Sequence, residues 1–309
     1  MADILQEGKV LVDENDNIVA HFGLENVSET DLTVSVKEHT NHNFTEGEKC
    51  SICNVARTVI VTENPDNTTV NETYFANFTE AWDYADGKKA IITLLSNQNY
   101  DERLNGSSDS DITVNLGKYT INFKGDNENY PFVLSGGKYE FNATTGGINS
   151  GKHLIFCDGG TTQLKINGGR YCGLYGIQIN SSGTANIYNA YIETKSTNSG
   201  AISVASNSEN FDITVKNTEL VSKGFGIYSY SSNSKGQTNI AVQNCNIMAN
   251  YAAVYSSNNN SEITIDGGEY TSEGYGRGCI EAHNGKINVV DGNFTGLTNG
   301  LNYVGGEVK

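Results

Sequence analysis

Four side chains near the N-terminus have the types and spacing of a metal site. His39 and His42 are separated by two residues, as are Cys50 and Cys53, and a short loop joins the two pairs. Imidazole nitrogen and thiolate sulfur are the usual ligands of structural zinc, and paired ligands across a short loop can converge on one tetrahedral ion. The spacing therefore predicts a structural rather than catalytic zinc site, because four protein ligands leave no position open for water.

Two other interpretations of this segment stay open, namely a redox-labile disulfide between Cys50 and Cys53, and four unligated side chains. The remaining cysteines occur singly, and we expect them to be buried, unpaired thiols because cysteine packs as a small apolar residue; they are Cys157, Cys172, Cys245 and Cys279. Unpaired thiols fit assembly in a cytosol, or an anaerobic habitat, better than an oxidising compartment.

Aromatic residues suggest a second kind of site. They recur just before one class of short strand, at Tyr175, Phe225, Tyr251 and Tyr275, and strand parity places Tyr228 and Tyr255 on the outside of that strand. Exposed rings bind the C–H faces of sugars with little loss of conformational entropy. The candidate ligand-binding residues are therefore Tyr228, Tyr255, Tyr251 and Tyr275. The alternative for the Tyr175 to Tyr275 column is an internal stack that fills a corner of the fold.

Residues for catalysis are sparse. The best neighbourhood joins three carboxylates with a guanidinium and an imidazole, from Asp266, Glu269, Glu281, Arg277 and His283. A solvated polar rim explains these residues equally well, so we assign no catalytic residue. Calcium bound by the acidic surface is a further expectation, without a location on the sequence.

The composition limits the class of protein. The 36 acidic and 20 basic side chains give a formal charge of −16, which excludes a nucleic-acid binder that works by phosphate neutralisation. There are 34 glycines, only 2 prolines and abundant asparagine. This composition favours many short strands joined by turns, and alternating runs such as Ile263-Thr-Ile265 exclude disorder. No run approaches the ~20 apolar residues of a membrane helix.

A repeat of ~24 residues is the strongest signal in the sequence. Each repeat has an alternating strand that ends in Asn or Asp, an apolar residue three or four positions later, and a second alternating strand. The first strands begin at Ile112, Phe132, Leu164, Asn186, Ile213, Ile240, Ile263 and Ile287, and the second at Gly176, Ala201, Gly226, Ala253, Cys279 and Gly300. Such a repeat cannot close a core alone, so it predicts an all-β solenoid of about nine stacked coils.

Stacking should align equivalent residues into columns. One predicted column lies at a turn, where Asn tolerates left-handed backbone geometry and can hydrogen-bond to the next coil; its members are Asn115, Ser135, Asn167, Asn189, Asn217, Asn244, Asp266 and Asp291. Before the repeats, apolar residues at helical spacing predict a helix over residues 75–86, with Asn77 as N-cap and Gly87 as the stop. We expect this helix to cap the first coil.

The chain divides into three predicted segments. Residues 1–38 form a small β module with a hairpin at 10–12 and 18–20 and a strand near 32–36. Residues 39–72 hold the His/Cys knuckle, a short strand and a linker at 64–69. Residues 73–309 form the capping helix and the solenoid.

The solenoid segment resembles the pectin lyase-like family of right-handed parallel β-helices. The resemblance rests on the helix Phe78-Thr-Glu-Ala-Trp-Asp-Tyr-Ala85 with the strand that follows, and on repeats such as Leu164-Lys-Ile-Asn-Gly-Gly-Arg-Tyr171. It is strongest to non-enzymatic surface proteins of Gram-positive bacteria and to phage virion proteins. The resemblance implies the fold more specifically than the function, because this fold hosts lyases, hydrolases, adhesins and tailspikes.

Together these features predict a non-catalytic, externally displayed module that binds a surface polysaccharide or glycan. It would stand on a phage virion or a bacterial surface, with the N-terminal region attached to an assembly partner. No secretory signal is recognisable at Met1, which slightly favours the virion. A homotrimer is a further expectation, and the alternative function is a polysaccharide lyase or depolymerase.

Overall fold

The computed structural model describes residue 7 and residues 9–12, 18–21, 35–39, 42–44, 47–66, 70–125, 130–205, 210–230, 236–274, 277–303 and 305–309. Strands dominate these residues, and they form a parallel β-helix of about 8 turns, as the repeat predicts. The expected number was about nine. Within the described residues, no helix has the length and apolar character needed to cross a membrane.

The N-terminal module is a three-stranded antiparallel sheet. Its strands are β1 (Lys9–Val12), β2 (Ile18–His21) and β3 (Ser35–Glu38), with β1 in the centre. The predicted hairpin is therefore present. The third strand begins at Ser35, and residues 32–34 of its predicted span lie outside the described part of the chain.

An antiparallel hairpin and one helix precede the coils. The hairpin consists of β4 (Val59–Glu63) and β5 (Asn71–Phe75), and β4 also pairs antiparallel with the first strand of the solenoid. The segment 39–72 thus contains a strand of the solenoid sheet. Helix α1 (Phe78–Ala85) is shorter than the predicted 75–86, because Phe75 ends β5, but its predicted N-cap is confirmed: the Asn77 side chain accepts a hydrogen bond from the Glu80 N–H at 2.9 Å.

The coils are built from parallel strands. In chain order these are β6 (Lys89–Leu94), β7 (Gln98–Tyr100), β8 (Leu104–Gly106), β9 (Asp111–Gly117), β10 (Thr120–Phe123), β11 (Phe132–Leu134), β12 (Gly137–Ala143), β13 (Gly147–Ser150), β14 (Ile155–Asn167), β15 (Arg170–Gly173), β16 (Ile177–Tyr188), β17 (Tyr191–Thr194), β18 (Gly200–Ala205), β19 (Phe211–Lys216), β20 (Glu219–Ser222), β21 (Phe225–Tyr230), β22 (Thr238–Ala249), β23 (Val254–Ser272), β24 (Gly278–Gly296), β25 (Asn299–Tyr303) and β26 (Glu307–Val308).

The strands stack into three faces. The first face runs from β6 through β9 and β12 to β26, the second from β7 through β10 and β13, and the third from β8 through β11 to β25. The long strands β14, β16, β22, β23 and β24 turn a corner and contribute to two or three faces. Inward residues alternate along each strand and fill the core, as Ile112, Val114 and Leu116 do in β9.

One predicted strand was assigned to the wrong face. Phe132–Leu134 pairs with β8 and with the start of β14, and so belongs to the third face. The first-face strand of that coil is β12, in which Tyr139 lies beside Ile112 and Leu164. The Gly136-Gly137 pair, with φ of 95° and 83°, turns the chain between them.

The predicted asparagine column separates into two columns. At the end of the first-face strands, the Asn142 amide donates to Asn115 at 3.3 Å and the Asn167 amide donates to Asn142 at 2.7 Å. One residue later, at the turn itself, Asn189 and Asn217 have left-handed backbones, and Asn217 donates to Asn189 at 3.4 Å. Ser135 belongs to neither column because its strand lies on the third face. Asp266 and Asp291 pair with each other at the strand end, and Gly267 takes the left-handed position.

The helix closes the N-terminal end of the core. Trp82 is fully buried, its indole N–H donates to the Asn105 carbonyl at 2.7 Å, and its ring lies 5.2 Å from Phe132 and 5.9 Å from Tyr139. Phe78 is also buried, and its ring lies 6.2 Å from Phe132 and 6.1 Å from Tyr100. The helix therefore covers the apolar end of the first coil, as predicted.

Replacing Trp82 should measure how much the capping helix contributes to the free energy of unfolding. We expect Trp82→Ala to lower the free energy of unfolding by about 3–5 kcal/mol, because it leaves a cavity and an unpaired carbonyl. Urea denaturation followed by circular dichroism measures the change. The control is Met248→Ala, where the side chain is 47% exposed and the expected change is within about 0.5 kcal/mol. Equal effects of the two substitutions would contradict the capping role.

Candidate functional site

The four predicted metal ligands come together. One ligand atom from each of His39, His42, Cys50 and Cys53 lies within 4.8 Å of the other three, and Cys53 Sγ is 3.2 Å from His42 Nδ1. Metal–ligand bonds of about 2.0–2.3 Å in a tetrahedral site place ligand atoms roughly 3.3–3.8 Å apart, so small side-chain movements complete the geometry. The cluster could hold a metal ion.

A tight turn positions the two sulfur atoms. The N–H of Cys50 donates to the Val55 carbonyl at 2.8 Å, the N–H of Asn54 donates back to the Cys50 carbonyl at 2.9 Å, and Asn54 has a left-handed φ of 62°. This turn brings Cys50 and Cys53 to the same side. The Asn43 N–H points at the Cys50 sulfur from 3.3 Å, and so connects the histidine segment to the turn.

The electrostatics suit metal binding. Burial acts to raise the pKa of the Cys50 thiol, but the N–H groups of Cys53, Ile52 and Asn43 outweigh it and lower that pKa below its ordinary value. Burial, and then the neighbouring Cys50, raise the pKa of Cys53 despite an opposing hydrogen bond from Val55. Burial and His39 lower the pKa of His42, which favours the neutral imidazole that a metal requires.

The cluster sits at the junction of two parts of the chain. Cys50 and Cys53 are buried with Phe44 against Val10 and Val12 of β1, and Tyr74 of β5 packs on the same group. A metal here would connect the N-terminal sheet to the hairpin that leads into the solenoid.

The predicted aromatic residues form a surface cluster on the third face. We call Phe225, Tyr228, Tyr230, Tyr251 and Tyr255 the aromatic patch. Tyr228 is half-buried and Tyr251 is 37% exposed, whereas Tyr255 points outward but is only 8% exposed because its neighbours cover it. Tyr275 lies outside the described residues.

The rings of the aromatic patch contact one another closely. The Phe225 and Tyr228 rings are stacked at 4.4 Å, Tyr228 and Tyr230 at 4.7 Å, and Tyr255 lies 5.0 Å from Phe225. Phe225 and Tyr255 form an apolar cluster separate from the main core, and Tyr175 and Tyr251 also lie outside that core. These rings are therefore not part of the main core.

A charged cluster adjoins the aromatic patch. Glu281 is 2% exposed; it accepts hydrogen bonds from Arg277 Nη1 at 2.7 Å and from the Gly278 N–H at 3.1 Å, and it contacts His283 Nε2. The Tyr255 ring lies 5.2 Å from the His283 ring and 5.4 Å from the Arg277 guanidinium carbon. Three of the five predicted catalytic-neighbourhood residues thus come together on the third face.

The other two members of that neighbourhood lie elsewhere. Asp266 pairs with Asp291 on the first face and Glu269 pairs with Asn293 on the second. Among the described residues, the His/Cys cluster is the only group of three or more potential metal ligands of this kind. The calcium expectation therefore has no group of carboxylates to support it there.

Sequence reasoning missed several aromatic residues on the third face. The Tyr130 ring contacts His153 and Phe156, the His153 ring is stacked on Tyr175, and Tyr230 extends the aromatic patch. Tyr130, His153 and Tyr175 each stand two residues before a third-face strand. This regular position is visible in the sequence only once Phe132 is assigned to the third face.

A groove of about 540 Å³ lies on another side of the molecule, along the asparagine turns. Its walls include Arg170, Tyr191, Asn189, Asn217 and Glu219. Arg170 pairs with Glu193 at 2.6 Å and lies 4.0 Å over the Tyr191 ring. This groove is a rival location for a ligand.

All six cysteines are free thiols, including Cys50 and Cys53. The four single cysteines are unpaired, as predicted, and three of them are buried. No protein-family model, curated protein or solved structure matches the chain.

The single cysteines should differ in reactivity. Burial raises the pKa of Cys157 to about 12 and of Cys279 to about 11, so that neither forms appreciable thiolate near neutral pH. Cys172 is only partly buried, so we expect iodoacetamide to modify Cys172 at least about tenfold faster than Cys157 in the native protein. Mass spectrometry of digests locates the label, and urea-unfolded protein provides the control. Equal native rates would contradict the described burial.

Proposed function

We propose that the protein is a non-catalytic, externally displayed β-helix module that binds a surface glycan through the aromatic patch. The observation that carries this proposal is the cluster of five aromatic rings on the outer side of a rigid parallel sheet. Tyr228, Tyr230 and Tyr251 carry the exposed part of this cluster, whereas Phe225 and Tyr255 are each 8% exposed. Isolated exposed rings are ordinary, but contiguous ones commonly mark a binding surface.

The chemistry of the aromatic patch favours sugars. The stacked tyrosine side chains combine apolar ring surface with phenolic hydroxyls at low entropic cost. The strands beneath them are fixed by ladders on both sides, so the rings need little reorganisation on binding. The Arg277 and His283 side chains at the edge of the patch, 36% and 32% exposed, supply hydrogen-bond donors for hydroxyl groups.

The proposal also covers where the protein is displayed and what it assembles with. Display on a phage virion or a bacterial surface is proposed only from the resemblance of repeats such as Leu164-Lys-Ile-Asn-Gly-Gly-Arg-Tyr171 to those of surface and virion β-helix proteins. The N-terminal sheet, packed on the His/Cys cluster, would attach the solenoid to an assembly partner. Exposed apolar side chains in the last described coil, Val290, Leu297 and Leu301, support self-association such as a homotrimer.

For the His/Cys cluster we propose zinc as the metal. Two thiolates and two imidazoles form a common tetrahedral ligand set for structural zinc, and calcium and magnesium prefer oxygen. The free thiols of Cys50 and Cys53 and the neutral His42 fit this role. Bound zinc would stiffen the junction between the N-terminal sheet and the solenoid.

Zinc content tests this assignment. We expect about one zinc per chain by elemental analysis, loss of that zinc in a Cys50→Ser/Cys53→Ser variant, and retention in the Cys172→Ser control. A chelator should lower the melting temperature of the wild type and leave that of the double variant unchanged, because metal binding stabilises only the folded chain. Zinc content that is unchanged in the double variant would refute the site.

Glycan binding is tested on an array of cell-wall and capsular polysaccharides. We expect retention on at least one glycan and a loss of affinity of about twofold to tenfold in Tyr228→Ala, since an aromatic contact contributes about 0.5–1.5 kcal/mol beyond area burial. Tyr191→Ala is the matched control, because it removes a tyrosine from the rival groove. If Tyr191→Ala abolishes binding and Tyr228→Ala does not, the groove is the site. If no glycan is retained, the proposal fails.

The alternative is a polysaccharide lyase or depolymerase, and one observation favours it. A buried carboxylate held between an imidazole and a guanidinium beside an aromatic surface could move protons during cleavage. Unsaturated or reducing ends released from the same glycans, and lost in Glu281→Gln, would establish this alternative in place of simple binding.

A further inference from the structure

A second aromatic cluster occupies the N-terminal half of the same face. The His153 ring lies between Tyr130 and Tyr175, 4.4 Å from each, and the Phe156 ring is stacked on Tyr130 at 4.5 Å. All four side chains are half-buried, so part of each ring reaches solvent. We call these four residues the aromatic stack.

The strand register aligns the aromatic stack with the solenoid axis. Tyr130, His153 and Tyr175 each stand two residues before β11, β14 and β16, which are consecutive strands of the third face. Phe156 is a neighbour of Val133 and Gln178 in the outward column of that face. The aromatic stack therefore continues from coil to coil, with spacings of about 4.8 Å.

The aromatic stack and the aromatic patch meet in the middle of the face. Tyr130, His153 and Tyr175 occupy equivalent positions in successive coils, and the equivalent position in the next coil is Gly200. A Cβ atom at Gly200 would lie 3.0 Å from Tyr228 Cβ. Tyr228 therefore covers the place where the column lacks a ring. The Tyr230 hydroxyl lies 3.4 Å from the Gln178 amide, two strands closer to the N-terminus.

The two clusters thus form one strip. From Tyr130 to Tyr255 it crosses six consecutive third-face strands, which gives five spacings of about 4.8 Å, or ~24 Å of aromatic surface parallel to the axis. Polar groups are interleaved with the rings, among them the Gln178 amide and the Tyr230 hydroxyl that it contacts. A long, narrow surface of this kind fits an extended molecule with repeating apolar faces and hydroxyl groups.

From this geometry we infer that the aromatic stack is a second sugar subsite, and that the ligand is an uncharged linear polysaccharide lying along the solenoid axis. The inference rests on the proposed glycan binding at the aromatic patch and specifies the class of glycan. The net charge of −16 disfavours an anionic polymer over so long a contact. A linear chain that occupies both subsites binds the second one intramolecularly, which raises its apparent affinity without a new kind of contact.

The test compares short and long oligosaccharides. Cello-, chito- and xylo-oligosaccharides are titrated by calorimetry, each as a disaccharide and as a chain long enough to span both clusters. For the series that binds, we expect the long chain to bind at least about 100-fold more tightly than the disaccharide. Tyr130→Leu/Tyr175→Leu, which removes two rings and keeps apolar bulk, should remove most of that advantage.

Further variants separate the two clusters. Tyr228→Ala should weaken both lengths, whereas the Tyr130/Tyr175 double variant should weaken the long chain and leave the disaccharide unchanged. Tyr191→Ala, on the second face, is the control and should change neither. Circular dichroism and melting temperature verify folding of each variant, and His153→Ala provides a second test of the aromatic stack if the double variant is unfolded.

Each outcome decides between the hypotheses. If the disaccharide binds at Tyr228 and length has no effect, or if the aromatic-stack variants bind the long chain normally, the second subsite is refuted and the proposed function stands. If oligogalacturonate binds in place of the neutral series, the uncharged class is refuted. If no sugar binds, the proposed function fails and the inference fails with it.

Discussion

The hydrogen-bond ladder between successive coils is the interaction on which this structure depends. A coil of two or three short strands encloses too little apolar surface to fold alone, and its backbone groups are satisfied only by the coils before and after it. The register Ile263 to Ile287, and Ile240 to Ile263 before it, shows how one ladder passes the same inward position from coil to coil. The near absence of proline follows, because each proline would remove a donor from the ladder.

The same ladder determines what the surface can do. Outward residues of equivalent coils lie about 4.8 Å apart, so a side-chain type that recurs becomes a continuous column. Asparagines use this spacing to bond to one another, as Asn142 and Asn167 do, and stabilise the turns. Aromatic residues at the third face use it to form an extended apolar surface. The asparagine columns that stabilise the turns and the aromatic surface proposed for recognition therefore share one spacing between coils. They differ only in which residues occupy the column.

The repeat could be predicted from the sequence because its period and alternation are local properties of the chain. The face to which a strand belongs was harder to predict, because the number of residues per coil varies. One coil runs from Ala185 to its register partner Ile213, and a shorter one runs from Ile240 to its partner Ile263. The assignment of Phe132–Leu134 to the wrong face arose in this way. It concealed the fact that Tyr130, His153 and Tyr175 each stand two residues before a third-face strand. Strand parity correctly placed Tyr255 on the outside of the sheet. It could not predict that Phe225 and neighbouring rings bury it to 8% exposure.

Variable coil length also explains why the convergence of the His/Cys cluster could be predicted from spacing, whereas the surroundings of Glu281 could be predicted only in part. The four metal ligands span fifteen residues and one tight turn, so their convergence depends on local geometry that spacing can encode. The surroundings of Glu281 depend instead on the register of β24 against β23, which brings Tyr255 beside it and leaves Asp266 and Glu269 on other faces. In a solenoid, residues close in sequence within one turn can be grouped by spacing. Residues on different coils can be grouped only when every intervening coil length is known, and this is why the binding surface emerges from the register of the whole third face.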